Sequence, residues 1–287
     1  MGKYRKILVA IDGSETSAHA LGESFRLATS EKSWITVVSV VPPYYGDLDM
    51  TGVGNLMALM RRPAEEAIAA AKKMAGEERV LIKTVIEEGE THERVLALAE
   101  AENCDLIIMG RRGLRRFERA LVGSVTARVI GYSQRDVLVV PRGASVGWQN
   151  VLVATDGSEH SAIAIDHAID VAKSYGGSLK ILSVVDLPDE LYGESPELVE
   201  DLIRKAKGYV GAAAQKAGKA GVAAETFVRE AEAYQAIIDL AAEQKVDILV
   251  MGSHGRTGLR RLLMGSVTEK VIGHATCPVL VVKTWKR

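Results

Sequence analysis

Short apolar runs alternate with stretches of helical spacing along the whole chain, and the order in which they come is repeated once. Residues 6–11 (Lys-Ile-Leu-Val-Ala-Ile) and 150–155 (Asn-Val-Leu-Val-Ala-Thr) read as buried strands, and each runs into Asp-Gly-Ser, at 12–14 and 156–158. The spacing then predicts helices over 17–30 and 161–175, each opened by a serine able to cap it. Second strands are predicted over 34–40 and 179–185. A variable region follows, ending in alanine-rich helices near 64–74 and 197–220. Third strands over 80–87 and 223–230 precede helices over 93–102 and 235–244. Fourth strands over 105–109 and 246–251 lead into glycine-rich loops, and a helix such as 266–274 then precedes a last strand, 137–140 or 279–282.

Recognising the repeat fixes the architecture, because one module occurring twice implies two like domains. Strands that are apolar throughout, alternating with helices, imply a parallel sheet covered on both faces. Right-handed crossovers wind the helices onto each side. The predicted fold class is therefore α/β, with two tandem doubly wound, Rossmann-like domains of five parallel strands each, at residues 1–143 and 148–287. A glycine-containing linker over 142–148 separates them. In such sheets a ligand sits outside the carboxyl ends of the strands, at the switch in strand order. Asp12, Val40 and Gly110 stand at those ends in the first unit, and Asp156, Val184 and Gly252 in the second.

Bulk composition narrows the classes. The 287 residues suit two ordinary domains, and 47% hydrophobic with 25% charged residues is normal for a globular protein. A formal charge of −1 gives no general electrostatic case for nucleic acid or an anionic membrane. No apolar run approaches the ~20 residues that span a bilayer. With the start leading directly into a strand, the expectation is a cytoplasmic protein. Two cysteines fit that compartment, and Cys104 and Cys277, each beside a predicted strand, read as small buried hydrophobes.

The candidate chemistry lies in the glycine loops. Gly110 and Gly113 are followed, after nine intervening residues, by Gly123-Ser124-Val125-Thr126, and Gly252 and Gly255 by Gly265-Ser266-Val267-Thr268 at the same spacing. In each case a strand ends, a glycine loop follows and a helix begins. A helix N-terminus offers free N–H groups and the positive end of its dipole to an anion. Glycines let the backbone approach a ligand closely, and the serine and threonine add hydroxyls. The pattern is neither the P-loop, which needs Gly-Lys-Ser/Thr after four residues, nor the compact GxGxxG.

These loops, with the opening Val-Ala-x-Asp-Gly-Ser and the closing Pro-Val-Leu-Val-Val of the second half, resemble the universal stress protein family in its ATP-binding branch, here with two family domains in tandem. The resemblance implies an adenine-nucleotide alpha hydrolase-like fold and ATP as ligand. It implies Asp12 and Asp156 near the ribose or base, Ala10 and Ala154 flanking the base, and Val40 and Val184 closing over adenine. Met109, Gly110 and Gly113, with Met251, Gly252 and Gly255, would line ribose and phosphates. Gly123, Ser124, Val125 and Thr126, and Gly265, Ser266, Val267 and Thr268, match the phosphate-binding helix start. A Mg or Mn ion would join through the triphosphate oxygens and Ser124 or Ser266. In this family the last strands pair across a dimer, so the two halves are expected to form an intrachain pseudo-dimer, with a homodimer of chains left open.

The halves also differ. Gly89 follows the third strand of the first unit where Ala231 stands in the second, and Arg111-Arg112 is replaced by Ser253-His254. Arg111 and Arg112 either pair bidentately with phosphates or cap a crowded, solvated loop. The whole run Arg111, Arg112, Arg115, Arg116, Arg119, with its echo Arg260-Arg261, reads more readily as a solvated face, and Met109 and Met251 as core filler or ligand contacts. His19, His92, His160, His167 and His274 lack metal-ligand spacing. No nucleophile elbow, Walker lysine or convincing carboxylate pair is present. The expectation is therefore a regulatory ATP-binding protein of the stress response. Two alternatives stand beside it. One is an interaction scaffold or apolar-ligand binder using residues 42–62, where Met50, Leu56, Met57, Leu59 and Met60 cluster. The other is a slow ATPase.

Overall fold

A computed structural model describes residues 3–44, 56–113, 122–255 and 264–283, the side chains of 189, 192 and 193 excepted. Met50, Arg115, Arg116, Arg119, Arg260 and Arg261 lie outside the described residues. The chain divides into two compact units, Met1–Gly143 and Ala144–Arg287.

Unit 1 runs β1 (Lys6–Ala10), α1 (Glu15–Glu31), β2 (Trp34–Val41), α2 (Leu56–Glu77), β3 (Ile82–Glu88), α3 (Thr91–Ala101), β4 (Leu106–Gly110), α4 (Ser124–Tyr132) and β5 (Asp136–Val140). Its strands are all parallel, in the order β3-β2-β1-β4-β5. Unit 2 runs β6 (Asn150–Ala154), α5 (Glu159–Tyr175), β7 (Ser178–Val185), α6 (Asp189–Glu194), α7 (Pro196–Lys219), β8 (Ala224–Glu230), α8 (Ala233–Glu243), β9 (Ile248–Gly252), α9 (Ser266–His274) and β10 (Val279–Val282). Its parallel order is β8-β7-β6-β9-β10. The two units are therefore one topology built twice. In unit 1, α1 packs with α2 and α3 with α4, one pair on each face of the sheet.

The central strands are apolar throughout because both their faces are covered. Ile7, Leu8 and Val9 of β1 are buried, as are Leu106, Ile107 and Ile108 of β4. Strand order reverses between β1 and β4, so the connections leaving those strands diverge and open a crevice at their carboxyl ends.

Three local features differ from the sequence reading. The first helices begin at Glu15 and Glu159, and their caps are Ser14 and Ser158, whose hydroxyls accept the N–H of Ser17 and Ser161. Helix α2 starts at Leu56 and runs through Pro63, which lacks the N–H that would bond back one turn. The six-residue α6 is too short for periodicity to announce.

The amino-terminal edges of the two sheets are held by different chemistry. In unit 1 the buried Tyr4 hydroxyl donates to Asp136 Oδ2 at 2.9 Å, and the Tyr4 N–H donates to Glu31 Oε2 at 3.1 Å. Burial pushes the Glu31 carboxyl up to about 7, against the opposing pull of that Tyr4 N–H. At the matching places in unit 2, Trp148 stacks on Tyr175 with ring centroids 5.1 Å apart. Cys104 and Cys277 are free and buried, and burial pushes both thiols up to about 11.

Candidate functional site

The end of β1 sets the first wall. Ile11 N–H donates to the Val38 carbonyl at 2.9 Å, which carries the chain off the strand edge into the Asp12 turn. Asp12 Oδ1 accepts the Ser14 N–H at 3.0 Å and the Ser14 hydroxyl at 2.6 Å. These bonds aim the other oxygen, Oδ2, toward the glycine loop. A Cβ built on Gly113 would lie 2.1 Å from that oxygen. The loop can therefore pass the carboxylate only because residue 113 has no side chain.

The start of the loop is fixed to α1 in the same manner. A Cβ on Gly110 would sit 2.9 Å from the carbonyl carbon and oxygen of Thr16, so β4 ends directly against the backbone of the first turn of α1. The Thr16 hydroxyl donates to the Arg112 carbonyl. The far end of the loop returns to its beginning, since the Gly123 N–H donates to the Arg111 carbonyl at 3.0 Å. The buried Thr126 hydroxyl donates to the Gly110 carbonyl at 3.1 Å. Gly123 is the N-cap of α4 and supplies no side-chain cap, so the first turn presents its N–H groups beside an exposed Ser124.

These pieces enclose a cleft of about 480 Å³, within the usual range for small-molecule sites. Ala10, Asp12, Val40, Met109 and Gly110 line it, and so do Gly113, Gly123, Ser124, Val125 and Thr126. All ten positions singled out in the first unit thus face one cavity. Sequence reasoning placed Met60 only in the apolar-ligand alternative and missed Pro63 and Ala64, which join it in lining the cleft from α2, and also Ser39, Thr91 and Val95. The one available signal was the i, i+3, i+4 spacing of the α2 residues, which looked like core packing. Arg112 also lines the cleft and brings a permanent cation. Burial, then the neighbouring Arg112 guanidinium, lowers the pKa of Arg111. Of the methionine-rich stretch, Met57 and Leu59 face solvent while Met60 faces the cleft.

Unit 2 repeats the frame. Asp156 Oδ1 accepts the Ser158 N–H at 3.0 Å, and a Cβ on Gly255 would lie 2.7 Å from Asp156 Oδ2. A Cβ on Gly252 would meet the His160 carbonyl oxygen at 2.8 Å. Gly265 N–H donates to the Ser253 carbonyl at 2.9 Å, and the Thr268 hydroxyl to the Gly252 carbonyl at 3.1 Å. Ala154 ends β6, Val184 is half-buried near the end of β7, and Met251 is buried in β9. Ser266 is exposed in the first turn of α9, with Val267 half-buried behind it.

The decoration of that frame changes. The His160 and His254 rings approach with centroids 5.6 Å apart, at the places Thr16 and Arg112 take in unit 1. Asp186 stands where Pro42 does, and its Oδ2 accepts the Ala233 N–H at 2.9 Å. Gly89 adopts a φ of 132° and Ala231 does not enter that region, yet both N–H groups donate to the preceding strand end, at Val41 and Val185. Among the described residues no three His, Cys, Asp or Glu side chains gather to hold a metal, and no helix is long and apolar enough to cross a membrane.

The profile of the Universal stress protein family matches the chain twice, over residues 3–141 and 147–283. A universal stress protein of Mycolicibacterium smegmatis is 31% identical over an alignment of 293 positions that covers 96% of each chain. One from Methanocaldococcus jannaschii is 37% identical over 147 residues, covering 49% of this chain and 85% of the relative. The crystal structure of a universal stress protein from Archaeoglobus fulgidus is 23% identical and covers 97% of this chain and 96% of its own. It superposes with a TM-score of 0.70, a likeness of fold.

Proposed function

The chain belongs to the universal stress protein family, and from that premise we propose that it binds ATP at its glycine-rich loops as a regulatory ligand, in the cytoplasm and in response to stress. The observation that carries this reading is the convergence of Asp12, the Gly110–Gly113 loop and the opening of α4 on one cleft of about 480 Å³. The division of labour follows from the groups. Asp12 offers a carboxylate oxygen able to accept from ribose hydroxyls. The apolar wall of Val40, Met60 and Pro63 suits a flat, weakly polar base. The N–H groups of the first α4 turn, with Ser124 and Arg112, suit phosphate oxygens. The Ser124 and Ser266 hydroxyls are the side chains available to a Mg or Mn ion that accompanies the triphosphate.

Binding would also act on the fold. The loop is tied to α1 through Thr16 and to α4 through Gly123, so a ligand that orders it biases both helices at once. That is how a nucleotide could alter a surface that another protein reads.

The test is the nucleotide content of chain purified without added ligand, denatured and resolved by anion exchange, followed by calorimetric titration with ATP. One or two equivalents of ATP per chain, carried over or taken up, are expected. A chain that is empty and takes up none defeats the proposal.

A further inference from the structure

The two units share a loop frame but differ where the helix after the second strand meets the aspartate turn. In unit 1 the turn after β1 passes α2 at Gly13, where a Cβ would come no closer than 3.8 Å to Ala67 Cβ. In unit 2 the same turn passes α7 at Gly157, where Tyr209 stands in the place of Ala67. A Cβ on Gly157 would lie 2.5 Å from Cε1 and Cζ of Tyr209, so the phenol ring rests directly on the Gly157 backbone.

The position of that ring decides what it does. Helical side chains lean toward the N-terminus of their own helix. That is the direction of Lys205 and Ala206, one turn back on α7 and the counterparts of Pro63 and Ala64 that line the unit 1 cleft. The residue the ring touches, Gly157, directly follows Asp156, the counterpart of cleft-lining Asp12. Tyr209 thus ties α7 to the aspartate turn, the counterparts of two sides of the unit 1 cleft. Two further differences act in the same direction. The Arg112 guanidinium of unit 1 gives way to an imidazole at His254, and Pro42 gives way to Asp186, whose carboxylate adds negative charge to a rim that a triphosphate must cross.

We propose that the units are unequal nucleotide sites, unit 1 open to ATP and unit 2 shut against it by Tyr209. This rests on the ATP-binding reading and deepens it, because it assigns the ligand to one unit and names the residue responsible. The second glycine loop then serves as a structural copy whose frame holds but whose mouth is filled.

Calorimetric titration of the full chain with ATP, after removal of carried-over nucleotide, tests both levels. The wild type should take up one equivalent, Tyr209→Ala two, and Ala67→Tyr none. Gly113→Ala, a milder change in unit 1, should weaken the single wild-type site at least tenfold and so identify its unit even if Ala67→Tyr does not fold. Two equivalents of like affinity in the wild type would overturn the inequality while leaving the nucleotide reading intact. One equivalent in Tyr209→Ala would overturn the role of the ring, and a wild-type site insensitive to Gly113→Ala would overturn its assignment to unit 1. No uptake by any form would remove the ATP reading itself.

Discussion

The closest approach in the unit 1 site lies between Gly113 and Asp12, and a single methyl group probes it. The backbone of Gly113 lies outside the left-handed region, so alanine is conformationally allowed there. Its Cβ would sit 2.1 Å from Asp12 Oδ2, whereas a carbon and an oxygen rest at about 3.3 Å or more. The carboxylate must retreat by about 1 Å, which strains or breaks its bonds to the Ser14 N–H and hydroxyl. That pair is part-buried and water can replace it, so Gly113→Ala should cost stability only about 1 kcal/mol. For a unit of this size that is a lowering of roughly 2–4 °C in melting temperature. Binding should suffer more. A hydrogen bond to a charged group is worth about 1.5–3 kcal/mol, so losing the ribose contact weakens ATP by roughly 10- to 150-fold in Kd. The assay is calorimetry with ATP and with 2′,3′-dideoxy-ATP on wild type and variant. The dideoxy nucleotide should bind the wild type about as weakly as ATP binds the variant, and the two changes together should add little more. Full additivity, or an unchanged ATP affinity in a variant that folds, would refute the assignment of Asp12 to the ribose.

Gly110→Ala acts on the fold instead, because its Cβ meets the Thr16 backbone, which cannot swing aside as a carboxylate can. A cost of about 1–3 kcal/mol, or roughly 3–10 °C in a calorimetric melt, is expected, and wild-type melting would show that the two backbones are not so closely seated. Glu31 supplies a pH dependence. Its folded pKa of about 7 lies above the ordinary 4.5, so between those values the folded chain holds a proton that the unfolded chain releases. The stabilisation from neutral Glu31 is thus complete below about pH 4.5 and gone above about pH 7, a difference of at most about 3 kcal/mol. Glu31→Gln should flatten the fall in urea midpoint over that window, and parallel profiles for the two proteins would exclude Glu31 as its source.

Much of the fold was legible because its signals are local or periodic. Ile7 to Val9 and Leu106 to Ile108 are apolar runs that only a doubly covered strand explains, and the repeat of Asp-Gly-Ser and of the loop glycines marked two like units. The site's loop side was legible for the same reason, since Gly110, Gly113, Gly123 and Ser124 form a spaced pattern. Its helix side was not. Proline is disfavoured inside a helix, yet α2 passes through Pro63, and Met60, Pro63 and Ala64 reach the cleft through tertiary packing that no motif encodes. The Tyr209–Gly157 contact joins residues far apart in sequence, and each alone looks unremarkable. Composition alone offers Ser14 and Ser17, three residues apart, as equal candidates for the cap, and the fold assigns it to Ser14.

The amino-terminal edges of the two sheets bear on how freely the halves could be exchanged. Tyr4, Glu31 and Asp136 answer by position to Trp148, Tyr175 and Pro278, the first trio held by hydrogen bonds where Trp148 stacks on Tyr175 in the second. An indole placed at position 4 would keep the backbone N–H that serves Glu31 but take the phenol hydroxyl away from Asp136, and a carboxyl at 175 would face the flat of Trp148. Each corner therefore works as a set. A grafted chimera of the halves would have to move its members together, even though the loop glycines recur at the same spacing in both halves.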